Sequence, residues 1–157
     1  MNDARWLNDD ETDTWLALWA VISWLPTRLD EQLKADSGMG HHDYFTLAQI
    51  SMSDNASVTM TDLAALTQMS PSRLSHVVGR LEKRGFVTRT PDNEDRRINI
   101  AAMTDEGWDF IREAAPGHVE HVRELIFDAL SKEESHQLGE LLRKVITKLE
   151  PTTLPRA

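Results

Sequence analysis

Two helix-start signals fall on adjacent residues in the middle of this chain. Ser70 offers a hydroxyl to the free amides of a first helical turn, and Pro71 stands where the missing N–H of a proline does no harm. Gly85 ends the same segment. Between these marks Leu74, Val77, Val78 and Leu81 recur at helical spacing and define a core-facing side, which leaves Ser72, Arg73, Ser75, His76 and Arg80 facing outward. The outward side donates hydrogen bonds, carries positive charge and meets no carboxylate before Glu82. Upstream, Thr61 caps a short helix with Leu63, Ala64 and Leu66 inward, and Gln68-Met69 leaves only a tight corner before Ser70. Two short helices joined in this way form a helix-turn-helix, whose second member has the size of a DNA major groove.

After Gly85, Phe86-Val87-Thr88-Arg89-Thr90 has strand character, Pro91-Asp92-Asn93-Glu94 supplies turn residues, and residues 98–103 have strand character again. Residues 58–60 add a third, very short strand to this wing. Three motifs then stand in a fixed order: Arg80-Leu81-Glu82-Lys83-Arg84-Gly85-Phe86-Val87, Asp95-Arg96-Arg97, and Met103-Thr104-Asp105-Glu106-Gly107. Together they resemble the MarR family of winged helix-turn-helix regulators, and the flanking helices extend the resemblance over nearly the whole chain. The fold it implies is mainly α with a small β-wing, a winged helix-turn-helix flanked by N- and C-terminal dimerisation helices.

The flanks are read from their apolar spacing. Over residues 12–36, Trp15, Trp19, Ile22, Leu29 and Leu33 lie on one side of a helix, with Leu16, Leu18, Val21 and Leu25 widening the stripe. Pro26 predicts a kink near Ile22 and Ser23. The residues before this helix read as a frayed end or a short extra helix. The tryptophans either fill an interior or meet a second subunit or a ligand. Ser37-Gly38-Met39-Gly40 is a break, after which His41-His42-Asp43 opens a helix with Tyr44, Leu47, Ile50 and Met52 inward. Beyond the wing, Thr104 caps a long helix with Trp108, Ile111, Val119, Val122, Leu125, Ile126 and Leu130 as apolar positions, kinked or broken at Ala115-Pro116-Gly117. Ser131 and Glu134 have capping-box spacing and start a last helix with Leu138, Leu141, Leu142, Val145, Ile146 and Leu149 inward. Pro151 ends it, and the tail to Ala157 is expected to be loose.

At 157 residues the chain suits one domain, 1–157, with residues 43–103 as the reading unit and 12–36 and 104–150 as dimerisation helices. Those helices carry more apolar surface than the reading unit can cover, and a second copy is the economical cover. A homodimer presents two reading helices to a near-palindromic operator in double-stranded DNA, with half-sites about one turn apart. The net charge of −9 opposes that only as an average. Residues 70–100 hold seven Lys+Arg against four Asp+Glu, whereas both neighbouring segments are acidic, with three against eleven before and seven against eleven after. A local basic face is enough, because counterion release depends on the cations that touch phosphate.

Other classes have little support. The absence of cysteine removes disulfides, thiolate metal sites and cysteine nucleophiles. No Ser-His-Asp elbow, phosphate-cradling glycine loop or zinc-hydrolase helix occurs, so neither an enzyme nor a cofactor is expected. With no long apolar run and no leader, a soluble cytoplasmic protein without membrane partners is expected.

On the reading helix, Ser72, Arg73 and His76 are the candidates for base edges, with Ser70 and Ser75 as hydroxyl donors to base or phosphate. Arg73 leads, since a guanidinium pairs with both acceptors of a guanine. Arg80 is placed on phosphate. The resemblance assigns Asp95 to orienting Arg97 into the minor groove, where concentrated negative potential favours arginine. Arg96 and Arg89 would add phosphate contacts. The wing tip departs from the family in its acidity, with Asp92 and Glu94 beside Asp95. The resemblance also implies repression released by a small aromatic or phenolic effector, bound here by Trp15, Trp19, His41, His42 and Tyr44. Two alternatives stand beside this. His118 and His121, with Glu120 and His41 or His42, would make a zinc-responsive regulator, or the winged helix would serve protein interaction only.

Overall fold

The computed structural model describes residues 4–149 and Pro151; the tail expected to be loose after Pro151 lies outside the described residues. Six α-helices and a three-stranded antiparallel sheet follow in the order α1 (Asp9–Ser37), α2 (His41–Ser51), β1 (Ser57–Thr59), α3 (Met60–Thr67), α4 (Pro71–Lys83), β2 (Val87–Pro91), β3 (Asn99–Met103), α5 (Asp105–Leu125) and α6 (Lys132–Leu149). The sheet order is β1-β3-β2, and register pairs Val58 with Ala101 and Arg89 with Ala101 on its two sides. This is the mainly helical fold with a small wing that the sequence implies.

The core lies under the helix-turn-helix. Leu33 and Met39 enter from the end of α1, Leu47 and Ile50 from α2, Leu63 from α3, and Leu74, Val78 and Leu81 from α4. Each such side chain withdrawn from water contributes about 1.5 to 3 kcal/mol. The helix spacing in α4 therefore decides which side it offers to solvent. Arg84 lies over the Phe86 and Phe110 rings, which stack at 4.7 Å, and this binds the wing's root to α5.

Several boundaries differ from the sequence reading, each for a local reason. Helix α1 begins at Asp9, because Asn8 and Glu11 cap one another reciprocally at 2.8 and 3.0 Å. Helix α3 is capped by Thr59 rather than Thr61: the Thr59 hydroxyl accepts from the Asp62 amide and donates to its carboxylate. Helix α5 runs unbroken through Pro116, so of the kink or break expected there no break forms, and α1 is likewise continuous through Pro26. The carbonyls those prolines leave without an amide belong to Ile22 and Arg112, both on exposed turns. Helix α5 stops at Leu125, and a 3-10 turn at Phe127–Ala129 takes up the residues before the Ser131–Glu134 box. Met52 is exposed at the end of α2 instead of inward.

The larger correction concerns the tryptophan stripe. Of α1 only Leu29 and Leu33 are buried, while Trp15, Leu16, Trp19, Val21, Ile22 and Trp24 are exposed. Helix α6 has no buried residue, and Leu141, Val145 and Leu149 face solvent. Interior packing within one chain therefore does not account for the stripe. Among the described residues no helix is long and apolar enough to cross a membrane.

Gly107 shows how tightly the wing's root is held. It is buried in the first turn of α5, its amide donates to the Thr104 hydroxyl at 3.0 Å, and a Cβ there would overlap the Phe86 carbonyl and the Met103 sulfur. Gly107→Ala is expected to lower stability by about 1 to 3 kcal/mol. Thermal melting checks this, and an unchanged midpoint would show that β2 and α5 shift apart without cost.

Candidate nucleic-acid interface

At about 100° per residue, the side of α4 opposite its core has Ser72, His76, Gly79 and Lys83 along its centre. Arg73 and Arg80 then fall on one flank, and Ser75 and Glu82 on the other. The cap forms as the sequence predicts, with Ser70 Oγ accepting from the Arg73 amide at 3.3 Å. Ser72, Arg73, Ser75, His76, Arg80 and Lys83 are all exposed. Nothing stands within 4 Å of a Cβ built on Gly79, so no packing inside the chain demands that glycine.

Both flanks are clasped by neighbouring elements. On one, Asp43 of α2 accepts two hydrogen bonds from Arg80, one from Nε at 2.9 Å. The carboxylate raises the Arg80 pKa above its ordinary value through that hydrogen bond. On the other, Arg89 of β2 donates to Ser75 Oγ at 3.1 Å and pairs with Glu82 at 3.0 Å. The outward side thus meets a carboxylate that sequence order hides, since Asp43 lies 37 residues from Arg80. Arg80 and Arg89, expected on phosphate, already hold partners. Arg73 and Arg96 are exposed and make no ion pair among the described residues.

The wing tip is built by its own carboxylates. Asp92 Oδ1 accepts from the amides of Glu94 and Asp95 at 2.7 and 3.0 Å, which folds the turn and commits one of the acids that made the tip look repulsive. Asp95 then accepts from Arg97 three times at 3.0 Å, from its amide, Nε and Nη2. The Arg97 side chain remains 91% exposed, its guanidinium held by one edge. The side-chain hydrogen bonds lower the Asp95 pKa and raise that of Arg97.

The residues expected to hold an effector separate into two places. Trp15 and Trp19 face each other at 5.7 Å on the exposed half of α1. The start of α2 docks further along, where Asp30 accepts from the His41 amide at 2.9 Å. Asp30 stands eleven positions along the helix from Trp19, about 16 Å. There the Tyr44 ring lies 4.6 Å from the His118 ring, whose Nδ1 meets Gln32 at 3.3 Å, and His41 stacks on Phe45. Burial lowers the pKa of His41 and of His118 and raises that of Tyr44. A cavity of about 250 Å³ opens nearby, lined by Gln32, Asp36, Ser37, Phe110, Glu113, Ala114 and Gly117 and by none of the five expected residues. His121 pairs with Glu124 rather than joining His118, and among the described residues no three metal-binding side chains gather.

The chain and its fold are similar to those of known proteins. Residues 37–98 match the model of the MarR family. The chain is 28% identical over 121 residues to the transcriptional repressor MprA of Escherichia coli, covering 77% of this chain and 68% of that protein. The structure superposes with a TM-score of 0.88 on Sco3205, a MarR family transcriptional regulator from Streptomyces coelicolor solved in complex with DNA, at 39% identity over 97% of this chain and 95% of that one. AbsC, a MarR family regulator from the same organism, matches with a TM-score of 0.86 at 34% identity, covering 94% and 99% of the two chains. These relatives are regulators and not enzymes. With a relative of this identity matched along almost its full length, the chain belongs to the MarR family of transcriptional regulators.

Proposed function

We propose that the chain acts as a homodimer that binds a near-palindromic DNA operator and represses transcription until a small ligand releases it. The observation that carries the DNA-binding part is the pairing of an exposed, uncompensated Arg73 on α4 with Arg97 held open on the wing by Asp95. The first suits guanine edges in the major groove and the second a narrow minor groove. Support also comes from Sco3205, solved with DNA, and from MprA, a repressor. The exposed tryptophans of α1 and the uncovered apolar side of α6 supply the surface for a second copy. We infer residues 43–103 as the reading unit, with 12–36 and 104–150 around the two-fold axis.

An electrophoretic shift against duplexes selected from a random pool tests the reading. Arg97→Ala is expected to weaken operator binding at least about tenfold, with circular dichroism unchanged and a shallower salt dependence. Equal affinity of variant and parent would remove the wing from the account. For ligand release, the supporting observation is the cavity between the last turns of α1 and residues 110–117 of α5, with Phe110 as one wall. Asp36 and Glu113 disfavour a carboxylate there, so a phenol is expected to raise the melting temperature while benzoate does not. A shift by benzoate alone would refute that preference.

A further inference from the structure

We propose that His42 and Arg80 form a binding site for a backbone phosphate of the operator where the first turn of α2 abuts the flank of α4. The inference rests on the DNA-binding reading above and extends it to an element outside the helix-turn-helix. The clasp between Asp43 and Arg80 fixes that first turn against α4. Asp43 is largely covered, whereas the Arg80 side chain is 55% exposed. Of the five N–H groups on a guanidinium, the clasp occupies one on Nε and one on Nη2, which leaves three for another acceptor. Arg73 lies two helical turns back on the same flank, exposed and without an ion pair among the described residues.

His42 immediately precedes Asp43 and is exposed, and its side chain makes no hydrogen bond among the described residues. The charged and titratable groups that act on it are Asp30 from α1, Asp43 from its own helix, and Arg73 and Arg80 from α4, with the His41 ring 5.8 Å away. A helix lying in the major groove turns its two flanks toward the two phosphate ridges. One flank of α4 continues through Glu82 and Arg89 into the wing. On the other, Asp43 cancels the charge of Arg80. A His42 imidazole that gains a proton restores it, and a phosphate oxygen is the acceptor of matching charge.

In the free protein partial burial, and after it the Arg73 charge, hold the His42 pKa below its ordinary value. A phosphate placed beside it raises that pKa. Binding then takes up a proton, so affinity rises as pH falls through the bound-state value.

The test is a titration of the selected operator and of an unrelated duplex, at about pH 6 and about pH 8, with the parent protein and His42→Gln, His42→Glu and His42→Lys. The parent is expected to bind more tightly at the lower pH, and His42→Gln to lose about one proton of linkage per chain. His42→Glu should weaken both duplexes about tenfold or more, since a phosphate contact reads no sequence. His42→Lys should keep the affinity and flatten this residue's part of the pH response. Other imidazoles also lie on this side of the protein, so the informative quantity is the change that each His42 variant makes. Parent-like affinity and pH slope in both His42→Gln and His42→Glu would overturn the assignment and leave the DNA-binding reading standing. A parent protein that binds neither duplex overturns both.

Discussion

Arg73→Ala is expected to lower operator affinity by about 2 to 6 kcal/mol, because each bidentate contact to guanine is worth about 1 to 3 kcal/mol and a two-fold dimer makes it twice. The loss should fall on one base position in each half-site, so that selection with the variant returns a relaxed preference there. An Arg97→Ala change should instead act through groove shape and leave that position specified. The distinction follows from the two arginines' settings. Arg73 is exposed at the N-terminal end of α4 with no ion pair among the described residues, while Arg97 is tethered by Asp95 on the wing. A variant that binds operator and unrelated DNA in the parent's ratio would show that Arg73 contacts phosphate only.

Trp19→Asp and Val145→Asp are each expected to convert the protein to a monomer and to reduce operator affinity by about a hundredfold or more. Neither side chain contributes to the core of the single chain, where Trp19 is 53% exposed and Val145 47% exposed, so the helix-turn-helix should remain folded. The loss arises because two linked reading helices engage two half-sites as one event, and separated chains must bind each independently. A burial cost for an unpaired carboxylate in an apolar contact is what drives the chains apart. Light scattering gives the mass and circular dichroism the fold. Dimeric variants with parent affinity would place the contact between copies elsewhere.

What could be read from the sequence was the part written in short-range chemistry. The Ser70 cap, Pro71 at the first helical position and the apolar spacing of Leu74, Val77, Val78 and Leu81 act within one helix, and the structure repeats them. The Ser131–Glu134 box and the Thr104 cap are legible for the same reason. The clasp of Asp43 on Arg80 was not, because it joins residues that only the packing of α2 on α4 brings together. Its one advance signal was that Asp43 stands in a first helical turn, a position acids occupy for other reasons as well. Thr59 falls inside the strand expected over residues 58–60, which hides it as a cap. Pro116 does not break α5, because the carbonyl it leaves without an amide lies on an exposed turn open to solvent. The tryptophan stripe carried an apolar signal without an address, since spacing shows that a face is covered but not by what.

The most direct test is the mass of the complex with a duplex chosen by selection from a random pool, measured at low ionic strength. A complex of two chains on one near-palindromic duplex, dissociating steeply as salt is added, is the predicted result. A protein that stays monomeric and leaves every duplex unbound under those conditions would contradict the account.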